Sequence, residues 1–205
     1  YSDDVESYCS DDFMVEINEN YNFPIGGATP DFASGRVCVN SLSEANIVVD
    51  KIIDYENPFY FDNWKNTNMY VADDGWTTEQ VTGGEGNLHT SQCEDVAQNH
   101  SPSHVQKEKV YIVSYPTEIT PQGRRKPGAN TDIIDGWNEG RLVINYTGHG
   151  SVDLWAHEHI FVRQVSIPLL NNKNKYPFLT IASCDLARWD DPFLLSAGEQ
   201  LVNLQ

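Results

Sequence analysis

The feature that most constrains this chain is a series of short, continuous apolar runs separated by stretches with helical spacing. Asn68-Met69-Tyr70-Val71-Ala72, Lys109–Ser114, Arg141–Tyr146 and Phe178–Ser183 each read as a strand with no polar-outside alternation. Such strands are buried on both faces, which is the habit of parallel sheets covered by helices. Between them lie helical patterns. Ser41-Leu42-Ser43-Glu44 forms a capping box, and Ala45, Val48, Val49, Ile52 and Ile53 follow at helical spacing until Pro58. A second helix is expected from Thr90 to about Asn99. A third carries Ile133, Ile134 and Trp137 on one face and stops at Gly140. The pattern predicts one α/β domain with a mostly parallel sheet. Residues 1–34 are polar and acidic and read as surface loop, Gly35–Val39 as a short strand, and Ala197–Val202 as an opening helix. With no Met or leader at Tyr1 and a helix starting close to Gln205, the chain reads as part of a larger domain.

Thirteen Lys and Arg against thirty Asp and Glu give a formal charge of -17. Nucleic acid is therefore not the expected partner, since phosphate binding needs clustered cations. No apolar run reaches the ~20 residues of a membrane-spanning helix. Asp3, Asp4 and Glu6, then Asp11 and Asp12, then Asp190 and Asp191 offer oxygen ligands of the calcium type, although none forms an EF-hand loop. Cys9, Cys38, Cys93 and Cys184 are irregularly spaced without CxxC pairs, leaving one or two disulfides open and giving no metal pattern. His157-Glu158-His159 lacks HExxH spacing, and Gly83-Gly84-Glu85-Gly86 lacks the Lys-Ser/Thr of a phosphate loop. Arg124-Arg125-Lys126, the only basic run, lies between Pro121 and Pro127 and reads as a loop.

In parallel sheets, functional groups gather beyond the carboxyl ends of the strands. Three predicted strands end in complementary chemistry: Asp73 and Asp74 after the first, His149 after the third, Cys184 after the fourth. A thiol, an imidazole and a carboxylate are the parts of a cysteine nucleophile site. Gly148 and Gly150 flank the histidine and allow a sharp turn with close backbone approach. The Gly150 and Cys184 amides are candidate donors to a developing oxyanion. Trp155 and Trp189 either line a cleft or pack the sheet ends.

Asn145-Tyr146-Thr147-Gly148-His149-Gly150-Ser151 with Trp155-Ala156, and Ile181-Ala182-Ser183-Cys184 downstream, resemble the histidine and cysteine motifs of the gingipain-like cysteine peptidases. Gly35-Arg36, Glu44-Ala45 with the Val48–Tyr55 helix, and Val71–Gly75 resemble the same family in order. The resemblance implies a caspase-like three-layer sandwich over residues 1–205, with flanking parts of the domain missing at both ends. It implies a Cys184–His149 dyad, with Gly150 and Cys184 as the oxyanion hole. It also places a histidine-orienting acid at Asp74, with Asp73 as the competing choice. The region of Asn87–Thr90 matches the segment that sets P1 preference, which makes His89 and Thr90 substrate-binding candidates along with Trp155 and Trp189. His89 and Thr90 stand where an Asp would select Arg, which argues against trypsin-like specificity. Cys184-Asp185-Leu186-Ala187-Arg188-Trp189-Asp190-Asp191-Pro192 and Trp155-Ala156-His157-Glu158 are closer to the type IX secretion sortases of Bacteroidota. That branch implies removal of C-terminal sorting domains at the outer cell surface, protein or peptide substrates, and secretion-system partners. No cofactor is required, and calcium is a structural ion at most. The alternative from another class is a noncatalytic surface-binding module on the same fold.

Overall fold

Ser41 opens the first helix as its side chain predicts: its Oγ accepts the N–H of Glu44 at 3.2 Å. Helix α1 (Leu42–Glu56) then runs until Asn57 and Pro58 redirect the chain. The computed structural model describes Val15 and residues 31–76, 84–188 and 195–203. The chain divides into two units, Tyr1–Asn40 and Ser41–Gln205. In the first, the strand expected at Gly35–Val39 does not form.

In the second unit the order is α1, β1 (Thr67–Ala72), α2 (Leu88–Asn99), β2 (Gln106–Tyr111), the hairpin β3 (Glu118–Thr120) and β4 (Gly123–Arg125), α3 (Pro127–Glu139), β5 (Val143–Thr147), the short pair β6 (Leu154–Trp155) and β7 (Phe161–Val162), β8 (Phe178–Ala182), and α4 (Ala197–Asn203). The sheet runs β2-β1-β5-β8 and every pairing in it is parallel. The four strands expected in this unit and the four expected helices, that of Ala197–Val202 included, are present with shifted ends. Among the strands the largest shift is at 109–114, where the strand begins three residues earlier and Ile112–Ser114 closes as a 3-10 turn; the helix expected at Thr131–Asn138 begins four residues earlier, at Pro127. The polar start of that strand, Gln106-Lys107-Glu108, suits a sheet edge, and that is why an apolar run alone misplaced it.

Side-chain alternation along β1 separates two cores. Met69 and Val71 join Ile144, Tyr146, Ile133 and Trp137 beneath α3, while Tyr70 and Ala72 meet Cys93 and Ala97 of α2. On the α2 face Asn145 is fully engaged: its amide donates to Thr147 Oγ1 at 3.2 Å and to Cys93 Sγ at 3.4 Å, and its oxygen accepts from Thr180 at 2.8 Å. Burial pushes the Cys93 thiol up to about 11, so this cysteine packs and stays protonated. Helix α1 behaves differently from its pattern. Val48 is buried, but Val49, Ile52 and Ile53 remain more than half exposed. No described helix is long and apolar enough to cross a membrane.

The α3 side is dominated by aromatics. Trp155 stacks on Tyr146 at 4.5 Å and 12°, and Phe161 meets both Trp155 at 4.8 Å and Trp137 at 5.4 Å. Trp155 is wholly inaccessible, which corrects its assignment as a substrate-lining residue: the large apolar ring is worth most inside this stack. Trp155→Ala should lower the unfolding free energy by about 3–5 kcal/mol, the usual cost of emptying an aromatic site. Urea unfolding of wild type and variant gives the difference.

Candidate active site

Strands β1, β5 and β8 end level with one another. Ala72 pairs with Thr147, and Thr147 pairs with Ala182. The residues just beyond, Asp73, His149 and Cys184, therefore emerge side by side at one sheet edge. Two backbone bonds prolong the ladder past the strands: Asp73 N–H donates to Thr147 O at 3.0 Å, and Gly148 N–H to Ala182 O at 3.1 Å.

The backbone of His149 is held at both ends. Its N–H donates to Asp73 Oδ2 at 2.9 Å, and its carbonyl accepts from Tyr146 Oη and from the Ala156 N–H at 2.8 Å. The turn that allows this leaves no room for a side chain at Gly148, where a Cβ would fall 2.3 Å from Asp73 Cβ. Gly150 is equally confined, since a Cβ there would fall 2.4 Å from Ser183 Oγ and 3.1 Å from the Cys184 carbonyl. The histidine loop and the cysteine loop thus touch at Gly150. Cys184 itself is exposed with a free thiol. Asp185, next in sequence, takes the left-handed region at φ 56°, a conformation that costs a non-glycine residue energy and turns the chain sharply.

The imidazole meets an acid that the sequence reading did not single out. His149 Nε2 lies 3.0 Å from Glu85 Oε2. An ionised carboxylate only accepts, so this bond puts the ring proton on Nε2 and leaves the Nδ1 lone pair as the basic site. Desolvation pushes the Glu85 carboxyl up, but the hydrogen bond and charge of His149, with His89 adding to them, outweigh it and hold it below the usual range. The signal was there in principle: Glu85 and His89 are four residues apart where the loop enters α2.

Asp74, expected to orient His149, stands elsewhere. Its Oδ1 accepts the Trp76 N–H at 3.0 Å, and its Oδ2 faces Lys126 Nζ at 3.4 Å and Arg124 Nη2 at 3.9 Å. The cations of the β4–α3 junction hold it there. Asp73, the competing choice, reaches the backbone of His149 and not the ring. The basic run is thus no solvated loop. Arg124 and Arg125 belong to β4, and the buried Lys126 donates to Ile112 O at 2.6 Å and Tyr115 O at 3.1 Å.

The sequence model of Peptidase family C25 matches residues 1–205. The chain belongs to that family. It is 27% identical over 151 residues to gingipain R2 and gingipain R1 of Porphyromonas gingivalis, an overlap of 73% of this chain with 18% and 14% of those proteins. Among solved structures it resembles the Arg-specific cysteine proteinase gingipain R at a TM-score of 0.57, with 23% identity over 82% of this chain and 35% of that one. It resembles the complex of the Porphyromonas gingivalis RgpB pro- and mature domains at 0.58, with 22% identity over 82% and 36%. The chain thus spans about a third or less of the length of these relatives, and its fold is the mixed α/β, caspase-like fold of the gingipain structures.

Other C25 positions singled out from sequence divide between the site and its supports. His89 packs edge-on against His149, with ring centroids 5.0 Å apart, and its Nε2 lies 2.9 Å from Glu85. Thr90 donates to the Asp73 carbonyl at 3.4 Å and so ties α2 to the end of β1. Trp189, Cys9 and the acidic sets at Asp3, Asp11 and Asp190 lie outside the described residues. Of His157-Glu158-His159, His157 packs edge-on against the His149 ring with centroids 5.1 Å apart, while the buried Glu158 pairs with Arg124 at 3.1 Å.

Burial pushes the Asp73 carboxyl up to about 8; the His149 N–H opposes this, and the nearby Glu158 and Asp74 add to it. The unfolded carboxyl titrates near ~3.9, so between there and about 8 the folded protein binds the extra proton. Stability from this group is complete below the unfolded value and is lost as pH rises through the folded one. Asp73→Asn keeps an acceptor for the His149 N–H and removes the titration. Urea midpoints measured across that window should fall less steeply with pH in the variant than in wild type.

Proposed function

We propose that the protein acts as a cysteine endopeptidase or transpeptidase through His149 and Cys184. The observation that carries the reading is the parallel register of β5 and β8, which sets the two residues on adjacent strand tips whose loops meet at Gly150. Nδ1 of His149 takes the Cys184 proton, and the thiolate attacks the scissile carbonyl to form a thioester. The imidazolium then protonates the leaving amine, and Glu85 at Nε2 favours the charged ring. Water or an amine nucleophile resolves the thioester, giving hydrolysis or transfer. The Gly150 and Cys184 amides serve the oxyanion.

The substrate class is read from the segment after Cys184 and from Trp155–Glu158, which resemble the secretion sortases. Removal of C-terminal sorting domains from secreted proteins at the outer cell surface, alongside secretion-system components, is the role that fits them. His89 contributes an imidazole where the Arg-selecting gingipains carry an acid, so a basic P1 residue gains no ion pair from it. Any calcium is structural and takes no part in the steps above.

Cleavage of a sorting-domain fusion by the full-length protein is the test. Cys184→Ala and His149→Ala should each lower kcat/KM by roughly 10³-fold or more. Retained cleavage in either variant overturns the assignment. A thiol-directed electrophile that labels Cys184 no faster than Cys9 or Cys38 favours a noncatalytic binding module instead.

A further inference from the structure

Two carboxyl oxygens beside the strand tips, Asp73 Oδ1 and Glu158 Oε2, are buried with no hydrogen-bond partner among the described residues. The other oxygen of each acid is spent. Asp73 Oδ2 accepts the His149 N–H at 2.9 Å, and Glu158 Oε1 accepts from Arg124 Nε at 3.1 Å. Both residues are at most 1% exposed, and one carboxyl oxygen from each of Asp73, Asp74 and Glu158 lies within 4.8 Å of the others. One hydrogen bond, or one hydrogen-bonded water, closes such a span. Two ionised carboxylates facing each other have acceptors only; a single proton between them provides the missing donor.

The surroundings decide which acid carries that proton. Glu158 has the Arg124 guanidinium, and Asp74 has Lys126, Arg124 and the Trp76 N–H. Asp73 has the His149 N–H and no cation within ion-pair distance among the described residues. Burial pushes its carboxyl up, and the charges of Glu158 and Asp74 add to this. The proton therefore belongs on Asp73 Oδ1, and Glu158 Oε2 is the free acceptor beside it.

We propose that Glu158 is a positioning residue for His149 and acts through Asp73: Arg124 fixes Glu158, Glu158 accepts the acid proton of Asp73, and Asp73 accepts the His149 N–H. When base removes that proton, the Asp73 O–H bond breaks, the proton leaves to solvent and no electrons are exchanged. Asp73 then carries a charge close to the imidazole. The groups that face it are Asp74 from β1, Glu158 from the turn between β6 and β7, Tyr146 and His149 from the β5 side, and His89 from α2, with Arg124 and Lys126 set against the two neighbouring acids. Around the ring itself stand Glu85, His89 and His157. Tyr146, whose hydroxyl holds the His149 carbonyl, is pushed well above its usual range by burial and then by Asp73, so it keeps its proton throughout. Ionised Asp73 raises the affinity of the imidazole for a proton. The effect on cleavage rests on the peptidase reading above; the place of the proton does not.

Amide substitutions in the full-length protein test the arrangement. Asp73→Asn keeps both bonds of the neutral acid, since the amide oxygen accepts the His149 N–H and the amide nitrogen donates to Glu158. Glu158→Gln turns a donor toward Asp73 and so favours its anion. In urea unfolding followed across pH, Asp73→Asn should match wild type at neutral pH and lose the alkaline fall in stability. Glu158→Gln should begin that fall about one pH unit lower or more. The NMR titration of the His149 ring, assigned by its loss in His149→Gln, should move to higher pH in Glu158→Gln and hold its wild-type position in Asp73→Asn. Where cleavage is observed, the alkaline inflection of kcat/KM should shift in the same sense. Asp73→Asn less stable than Glu158→Gln at neutral pH puts the proton on Glu158 and overturns the assignment, as does a His149 titration that Glu158→Gln leaves in place. If Glu158→Gln does not fold, an alkaline fall that survives Asp73→Asn overturns it alone. The expected shifts in a protein that cleaves nothing support the proton's place and remove the peptidase reading.

Discussion

Three parallel strands stopping at the same level is the constraint on which the rest of this structure depends. With Ala72, Thr147 and Ala182 in one row, whatever follows each of them must share a narrow edge. Parallel pairing leaves no tight turn at that edge, so each strand releases its chain into a loop that can carry chemistry. A slip of one residue in β5 would turn Tyr146 away from the Trp155 stack and take His149 with it, because alternate residues face opposite sides. The aromatic core under α3 therefore does more than fill space. It fixes the register that presents the imidazole.

The histidine loop is secured from below by backbone contacts and addressed from above by side chains. Asp73 and Tyr146 grip the N–H and carbonyl of His149, while the ring extends outward to Glu85, with His89 and His157 packed edge-on against it. This separates two demands that conflict in one residue. A group that anchors the loop must be buried and rigid, and a group that balances the charge of the ring must stay ionised. Asp73, proton-bound when neutral solvent surrounds the protein, serves the first; Glu85, near solvent and held below the usual carboxyl range, serves the second.

What was legible in the sequence was what local physics determines. Continuous apolar runs marked β1 and β5 because these central strands are buried on both faces, and β8 carries such a run although it lies at the sheet edge and stays partly exposed. Ser41 announced α1 because a hydroxyl three residues ahead of an amide is a local device. Placing His149 and Cys184 beyond strand ends followed from the same reading. What was hidden depends on partners distant in sequence. Arg124 meets Glu158 and Lys126 meets Asp74 only after the β3–β4 hairpin has folded over the sheet edge, and those ion pairs are what withdraw Asp74 from the imidazole. Two-residue strands such as β6 and β7 have too few positions to show a period, so the burial of Trp155 could not be read from spacing. The apolar stripe of α1 gave the helix correctly but overstated its burial, since periodicity reports a face and not what covers it.

The buried charges explain why the acid that faces the ring comes from the α2 side. Asp73, Asp74 and Glu158 bring their carboxyl oxygens within 4.8 Å of one another, and Arg124 and Lys126 are the cations set against them. Three carboxylates against two cations leave one negative charge in excess, and in a buried setting the least costly remedy is a proton on the acid with the weakest ionic support. Asp73 is that acid: Asp74 and Glu158 hold the two cations, while Asp73 has a backbone N–H as its partner. Once it is neutral it contributes geometry but little field to the imidazole above it. A full negative charge for the ring must then come from outside the buried cluster, and Glu85 at the mouth of α2 is placed to supply it. Burying a third acid at the strand tip and recruiting one from the loop are thus two sides of one electrostatic arrangement.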